Sequence, residues 1–213
     1  MKKVIAITQN LMEYNSYKEV RESLDINYIK LIKDLGFIPL ILSSTINIEE
    51  YFSLFKIDGL ILSGGNDLSC CNDNTCSNQR DIFEKKLIDY CIKYDIPILG
   101  VCRGMQIIAD YFDSTFEKID NQVAIKHSLK IESDSKYFNE LNLLKEVNSF
   151  HNYSIKNLSK NLSISAKSNC NLIKAIEHTK YKIFAHMWHP ERNSPFNKNE
   201  LNLIKNFFTK EEI

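Results

Sequence analysis

Apolar and polar positions form two alternating patterns through the first half of the chain. Short apolar runs predict buried strands at residues 4–8, 37–42, 57–62 and 96–101. Longer stretches with helical spacing predict helices at residues 24–35, 48–55 and 80–94, and a further helix after Cys102. Strands that alternate with helices are typical of a mostly parallel sheet flanked by helices, which is an α/β fold.

The predicted helix at residues 80–94 is amphipathic. Ile82, Leu87 and Ile88 fall along one stripe, and charged residues fill the opposite face. This spacing is typical of a helix that packs its apolar stripe against a sheet.

The pattern changes at about Phe116 to short alternating segments. These predict antiparallel strands and loops at one edge of the sheet, at residues 123–131 and 162–166. Strands return at residues 172–177 and 182–188, before a closing helix at residues 200–208. The chain shows no internal repeat, low-complexity tract or long linker, so a single domain over residues 1–213 is expected.

Composition and charge argue against several classes of protein. The 213 residues are 44% hydrophobic and 25% charged, which are ordinary values for a globular domain. The net charge is +0 and basic residues are dispersed, so neither a nucleic acid nor an acidic membrane is an expected partner. No apolar stretch has the length of a membrane span or signal peptide, which favours a cytoplasmic protein.

Most of the six cysteines carry no evident chemistry. Cys91 fits a helical apolar pattern and is expected in the core, and Cys170 lies in an Asn-Cys-Asn turn. Cys70, Cys71 and Cys76 crowd one polar loop that has neither the CxxC spacing nor the nearby histidine of a zinc site. No metal and no organic cofactor is therefore expected.

Cys102 has a different setting, in Gly100-Val101-Cys102-Arg103-Gly104 between a predicted strand and a predicted helix. This is the G-x-nucleophile-x-G pattern of a strand-to-helix elbow, where a helix N-terminus can stabilise a thiolate. The Arg103 backbone N–H is placed to serve as one oxyanion-hole donor. The alternative is a glycine-bounded turn that contains a buried cysteine.

A base for such a nucleophile is available near the end of the chain. The predicted strand at residues 182–188 delivers His189 at its carboxyl end, where ligands bind in open parallel sheets. Glu191 can fix the imidazole tautomer and stabilise the imidazolium. The alternative is a capped strand end with an incidental ion pair.

A glycine pair, Gly64-Gly65, follows the third predicted strand. Backbone N–H groups exposed at a sheet end are suited to hold an anion, and we predict the Gly65 N–H as the second oxyanion donor. A simple turn is the alternative, since glycine pairs are common turn residues.

Five segments in this order give the chain its resemblance to a known family. They are residues 21–25, 63–67, 80–84, the Cys102 elbow and residues 188–191. Together they resemble the class I glutamine amidotransferase-like superfamily and its free-standing γ-glutamyl hydrolases. The resemblance implies a flavodoxin-like fold, a central mostly parallel sheet with an antiparallel edge, and a small-molecule γ-glutamyl substrate.

The resemblance also implies roles for individual residues. Cys102 would form a γ-glutamyl thioester, His189 would act as base and acid, and Glu191 would orient it. The predicted substrate-binding residues are Gly64, Gln106, His151 and His127. Among these, Gln106 matches a position that contacts the bound glutamyl group, and His151 is expected near the mouth of the site.

Some positions depart from the family pattern. Met187 stands where a glutamine is usual, Asp113-Ser114-Thr115-Phe116 replaces a Gly-Gly-Thr-Leu sequence, and His151 is followed by Asn152-Tyr153. These departures imply a specialised leaving-group side of the site. The closest likeness is to hydrolases that release glutamate from a nucleotide-linked phosphoramidate in capsule biosynthesis. In that case the diphosphate could be bound by Lys126, His127, His151 and His186.

Three other functions remain open at this point. The chain could hydrolyse γ-glutamyl-aminobutyrate-type amides, which residues 80–84 and 147–151 also resemble. It could be the glutaminase subunit of an amidotransferase, delivering ammonia to a separate synthase partner. It could instead be a binding module that has lost catalysis, against which the Cys102, His189 and Glu191 set argues. A homodimer is possible in each case.

Overall fold

The structure, a computed structural model, describes residues 2–14 and 16–210. Its main strands are β1 (Val4–Ile7), β4 (Ile38–Ile41), β5 (Gly59–Leu62), β6 (Ile98–Val101), β9 (Leu129–Ile131), β12 (Leu162–Ser168), β13 (Ile173–His178) and β14 (Ile183–His186). Three smaller pairs are built from β2 (Asn10–Tyr14), β3 (Glu19–Ser23), β7 (Thr115–Lys118), β8 (Val123–His127), β10 (Val147–Phe150) and β11 (Tyr153–Asn157). The helices are α1 (Ile26–Asp34), α2 (Ile48–Leu54), α3 (Thr75–Lys93), α4 (Arg103–Tyr111), α5 (Phe138–Leu141) and α6 (Lys198–Thr209), with a 3₁₀ turn at Pro190–Arg192.

Eight strands form the central sheet in the order β4-β1-β5-β6-β14-β13-β12-β9. The first five are mutually parallel, and β13, β12 and β9 continue the sheet in antiparallel pairs. The predicted α/β architecture with an antiparallel edge is confirmed. Because β5, β6 and β14 are adjacent and parallel, the residues that follow them meet at one edge of the sheet.

The hairpin of β2 and β3 was not predicted from the sequence. Its residues are mostly exposed, and Leu11 is its one buried apolar side chain. A hairpin that buries so little has no clear apolar alternation from which it could be recognised. It stands beside the sheet edge where β5 and β14 end, since Leu11 exchanges hydrogen bonds with Asn66.

Helix α3 differs from its prediction in which face it buries. Ile82 is 58% exposed, whereas Arg80, Asp81 and Glu84 are buried. The predicted stripe with Ile82 inside and charges outside is therefore wrong. The physical reason is that these charges pair with each other and with Arg103 of α4, so their burial is compensated.

Helix α3 also begins earlier than predicted, at Thr75, with the Asn74 side chain accepting the Ser77 N–H as its N-cap. Cys76 therefore lies in the helix and is buried, while Cys70 is exposed in the preceding loop. Cys91 is buried in the core as predicted. Within the described residues, no group of three or more His, Cys, Asp or Glu side chains could hold a metal ion. The same part of the chain contains no helix long and apolar enough to cross a membrane.

Candidate active site

Cys102 lies in the turn between β6 and α4, in the strand–turn–helix arrangement predicted from the sequence. Its backbone has φ 53° and ψ −104°, which a residue other than glycine rarely adopts. The Cys102 N–H donates to the His186 carbonyl at 2.8 Å, which ties the turn to β14. Backbone strain of this kind is typical of functional sites. Here the strained turn places the thiol at the N-terminus of α4.

The two glycines of the elbow are required by close packing. A Cβ on Gly104 would lie 2.0 Å from the Leu62 carbonyl oxygen. A Cβ on Gly100 would lie 2.6 Å from the Gly104 carbonyl oxygen. The first turn of α4 therefore packs directly on the ends of β5 and β6. This contact fixes the position of Cys102 at the end of β6.

His189 and Glu191 form a buried pair just after β14. The His189 Nδ1 lies 2.5 Å from Glu191 Oε1, and both side chains are 2% exposed. Burial alone would lower the pKa of His189, but the Cys102 thiolate and then Glu191 raise that pKa to about 9. Since Nδ1 binds the carboxylate, Nε2 is the ring nitrogen left for a further partner, and no hydrogen bond occupies it within the described residues.

Gly64 lies between the thiol and the imidazole. A Cβ at this position would be 2.8 Å from His189 Cε1 and 3.6 Å from Cys102 Cβ. The Gly64 N–H donates to the Tyr28 hydroxyl at 3.1 Å. Gly64 therefore contributes space between the two reactive groups, while Tyr28 occupies the N–H group that an anion would otherwise use.

Gly65 adopts φ 108°, a conformation that glycine alone adopts readily. Its N–H makes no hydrogen bond within residues 2–14 and 16–210, and the same is true of the Arg103 N–H at the start of α4. These two groups are the predicted oxyanion donors, and that role stays a prediction.

Gln106 and His151 support one carbonyl group. The Gln106 Nε2 donates to the Tyr153 carbonyl at 3.1 Å, and His151 Nδ1 lies 2.9 Å from the same oxygen. The other ring nitrogen of His151 lies 2.8 Å from Lys174 Nζ. Burial, followed by the nearby Lys174 charge, lowers the pKa of His151 to about 3. His151 is thus a neutral, buried support of the Tyr153 backbone, with neither nitrogen free for a substrate.

The other predicted phosphate-binding residues are not arranged as a basic site. His127 is buried and uses both ring nitrogens, at 3.1 Å from Asn169 Oδ1 and 2.7 Å from Gln122 Oε1. His186 is fully buried and stacks on Trp188 with ring centroids 4.3 Å apart. Burial lowers the pKa of His186 to about 3. Lys126 is exposed, with its amino group 3.9 Å from Glu146.

Sequence reasoning missed two residues near the site. Asn148 of β10 contacts the backbone of His189, and Lys174 of β13 is buried against His151 and Ser149. Neither residue stands out along the chain, because Asn148 lies in a short strand and Lys174 interrupts an apolar one. The buried position of the lysine is visible only once the strands are assembled.

A cavity of about 170 Å³ borders His189 and the glycine loop. The β2–β3 hairpin contributes Asn10 and Ser23 to its wall, and Arg192 also lines it. The Arg192 guanidinium is 4.3 Å from the centre of the Phe150 ring. This cavity is the open space next to the His189 imidazole.

Comparison with known proteins places the chain in a family. The Peptidase C26 family matches residues 3–191. The γ-glutamyl-CDP-amidate hydrolase of Campylobacter jejuni is 39% identical over 208 residues, covering 96% of this chain and 97% of that protein. A putative glutamine amidotransferase-like protein of Lactococcus lactis is 31% identical over 212 residues, covering 87% of this chain and 86% of that protein.

Solved structures share the fold. The crystal structure of a putative GMP synthase subunit from Thermoplasma acidophilum has a TM-score of 0.73 and 23% identity, covering 98% of this chain and 93% of that one. At this identity the likeness concerns the fold alone. Taken with the family match over residues 3–191, it shows that the chain belongs to the Peptidase C26 family and has the flavodoxin-like fold of glutamine amidotransferases.

Proposed function

We propose that this protein is a cysteine-dependent hydrolase that cleaves a γ-glutamyl amide bond through a γ-glutamyl thioester. The observation that carries this proposal is the arrangement of Cys102 on a strained elbow with the buried His189–Glu191 pair beside it. A nucleophile, a base and a group that orients the base are the parts that acyl transfer requires.

The first half of the reaction forms the thioester. The Cys102 thiolate attacks the γ-carbonyl carbon, and the oxyanion that develops is bound by the Gly65 and Arg103 N–H groups. Each donor would contribute about 3–4 kcal/mol of transition-state stabilisation. The intermediate then collapses: the carbon–nitrogen bond breaks and His189 Nε2–H protonates the departing nitrogen. Glu191 holds the imidazole with Nε2 directed to this task.

The second half returns the enzyme to its starting state. Neutral His189 takes a proton from water, and the hydroxide equivalent adds to the thioester carbonyl. The same two N–H groups bind the second oxyanion, which collapses to glutamate and the Cys102 thiolate. His189 is again protonated, so the cycle consumes one water and needs no further reactant.

We infer that the leaving group is a nucleotide phosphoramidate, with γ-glutamyl-CDP-amidate as the best specific substrate. The full-length relative at 39% identity that carries this name supports the inference. Arg192, which lines the cavity beside His189 together with Asp25 and Glu191, is the side chain there that can attract a diphosphate. The phosphoramidate would come from a capsule pathway, the setting that the sequence resemblance implies.

A product assay tests the proposal. Purified protein is incubated with glutamine, γ-glutamyl-aminobutyrate and a γ-glutamyl nucleotide phosphoramidate, and released glutamate is measured. The expected result is a kcat/KM for the phosphoramidate well above the other two. Preference for γ-glutamyl-aminobutyrate would contradict the leaving group and keep the reaction class. Glutaminase activity that appears only with a co-purifying synthase would favour the glutaminase role within an amidotransferase, and no cleavage of any of the three would contradict the reaction class.

A further inference from the structure

Four buried charged side chains lie beneath the two predicted oxyanion donors. Arg80, Asp81 and Glu84 come from α3 and Arg103 from α4, and each is at most 5% exposed. Burial of charges is costly unless each charge is paired and hydrogen-bonded. The pairing here is specific, and it connects the two halves of the predicted oxyanion hole.

Arg80 holds the glycine loop. Its Nη1 donates to the Gly64 carbonyl at 3.0 Å and its Nη2 donates to the Ser63 carbonyl at 2.7 Å. The carbonyl of Gly64 and the N–H of Gly65 belong to one trans peptide plane and point in opposite directions. By fixing the Gly64 oxygen, Arg80 therefore fixes the direction of the Gly65 N–H.

Arg103 is held in the same network. Its backbone N–H is the other predicted donor, and its guanidinium pairs with Asp81 and Glu84. The first residue of α4 is thereby anchored to α3 by its own side chain. The position of this N–H then depends on the same helix that positions Arg80.

Glu84 joins the two arginines. Its Oε1 accepts from Arg80 Nε at 3.0 Å and from the Thr8 hydroxyl at 2.7 Å, and its Oε2 pairs with Arg103 Nη1. The Thr8 hydroxyl oxygen in turn accepts the Ser63 N–H at 3.1 Å. The Glu84 carboxylate is thus linked to the glycine loop through Arg80 and through Thr8. It is linked to the elbow through Arg103.

The charge state suits this role. Burial alone would raise the pKa of Glu84, but Arg103 and then Arg80 outweigh it and hold that pKa below its usual range. Burial, with the neighbouring Arg103, lowers the pKa of Arg80 to about 10, so the guanidinium stays charged at neutral pH. The Glu84 carboxylate and the Arg80 guanidinium are therefore both charged at neutral pH.

We propose that Glu84 is a positioning residue that sets the separation of the two oxyanion donors, by holding Arg80 under the Gly64–Gly65 peptide and Arg103 at the start of α4. Glu84 touches no substrate and acts through these two residues. The inference rests on the proposed function, since an oxyanion hole matters only if Cys102 attacks a carbonyl group.

The test compares two reactions of the same thiol. Hydrolysis of the best γ-glutamyl substrate develops an oxyanion, whereas alkylation of Cys102 by iodoacetamide is a displacement at saturated carbon and develops none. In Glu84→Gln, which keeps the shape and loses the charge, kcat should fall about 10²-fold, the scale of one lost donor, with KM nearly unchanged. The alkylation rate of Cys102 should stay at the wild-type value.

Arg80→Lys is a second test variant, to be used if Glu84→Gln folds poorly. Lysine keeps the charge but cannot hold Ser63, Gly64 and Glu84 together, so the same selective loss of kcat is expected. Lys85→Gln is the matched control: Lys85 lies on α3 next to Glu84, its replacement breaks an ion pair to Asp110 of α4, and both rates should be unchanged. Activity is expressed per folded molecule, measured by near-UV circular dichroism, so that unfolded molecules do not count.

Two results would overturn the inference. One is wild-type hydrolysis by Glu84→Gln and Arg80→Lys; the other is an equal fall of hydrolysis and alkylation in both, which would indicate a general distortion. In either case, cleavage of the γ-glutamyl substrate by the wild-type protein still supports the proposed function. A wild-type protein that cleaves no γ-glutamyl amide would remove the proposed function and this inference with it.

Discussion

Asn148 holds the backbone of His189 with both ends of its side-chain amide. The His189 N–H donates to Asn148 Oδ1 at 2.8 Å, and Asn148 Nδ2 donates to the His189 carbonyl at 2.8 Å. The predicted catalytic base is therefore positioned by β10, a strand outside the central sheet, as well as by β14, which leads into it.

Replacement of Asn148 by alanine should lower kcat more than it raises KM. Loss of both hydrogen bonds frees the turn that carries His189, and misplacement of a catalytic group by about 1 Å can cost on the order of 10²-fold in rate. The unfolding free energy should fall by about 1–3 kcal/mol, because buried backbone groups lose their partners. Steady-state kinetics and urea unfolding provide the two measurements.

Asn157→Ala is a suitable control for this variant. Asn157 ends another strand, is exposed, and donates one side-chain hydrogen bond to Thr115 at 2.9 Å. Its replacement should leave kcat unchanged. A kcat of wild-type size in Asn148→Ala would show that β14 alone positions the histidine.

The sequence predicted the central sheet and the place where its reactive residues meet. The strands that end at the site, β5, β6 and β14, are fully buried and read as continuous apolar runs, which is the strongest pattern a parallel sheet offers. Because parallel strands end at one edge, Cys102 and His189 could be placed together although 87 positions of sequence numbering separate them.

The parts that the sequence did not predict depend on distant partners. Glu84 looks like a solvated helix charge until Arg103 is packed against it, and Lys174 looks misplaced in a strand until His151 and Ser149 are seen around it. His127 and His186 show the reverse case, because residues with suitable chemistry are already engaged by neighbours, His127 by two polar side chains and His186 within the core. The local sequence pattern indicates which face of a helix or strand a residue lies on. Which buried polar groups pair with each other is decided only in the assembled fold, so the sequence pattern does not reveal it.

Gly64→Ala should inactivate the enzyme without unfolding it. The new Cβ would lie 2.8 Å from His189 Cε1, so the imidazole must move away from Cys102. A fall in kcat on the order of 10²-fold is expected, with near-UV circular dichroism like that of the wild type.

Gly36→Ala separates this contact from backbone strain. Gly36, unlike Gly64, has a positive φ, 86°, and a Cβ there meets no atom within 4 Å. That variant should lose about 1–2 kcal/mol of stability from strain and keep its kcat. Equal kcat values in the two variants would mean that Gly64 does not separate the thiol from the imidazole.

The raised pKa of His189 predicts how activity depends on pH. The protonated imidazole is needed to protonate the leaving nitrogen, and its pKa is about 9. Hydrolysis should therefore decline as pH rises through about 9. In Glu191→Gln the carboxylate no longer raises this pKa, so the decline should begin at lower pH. A profile of kcat/KM against pH for both proteins tests this, and an unchanged alkaline limb in the variant would contradict it.

The buried carboxyl group of Glu200 predicts that the free energy of unfolding depends on pH. Glu200 is 2% exposed and accepts from Asn193 Nδ2 at 2.6 Å. Burial, with Glu191 nearby, raises the pKa of Glu200 to about 7. The folded state then binds the proton more tightly than the unfolded state, so Glu200 costs stability as pH rises from about 4.5 to 7 and the cost is constant above.

Glu200→Gln should accordingly be more stable than wild type at pH 8 and nearly equal at pH 4. The gain at high pH is at most on the order of 3 kcal/mol, since one pKa unit corresponds to about 1.4 kcal/mol. Urea unfolding at the two pH values measures it, and Glu49→Gln on the surface of α2 serves as control. A gain that does not grow with pH would contradict the buried, raised-pKa carboxyl.

The central claim is that Cys102 is the nucleophile, and one pair of variants tests it most directly. Cys102→Ala and Cys70→Ala each remove one thiol, the first from the elbow and the second from an exposed loop. Release of glutamate from the best γ-glutamyl substrate is measured for both against wild type. The account predicts that Cys102→Ala folds normally and loses essentially all cleavage, while Cys70→Ala keeps the wild-type rate. Cleavage retained by folded Cys102→Ala would contradict it.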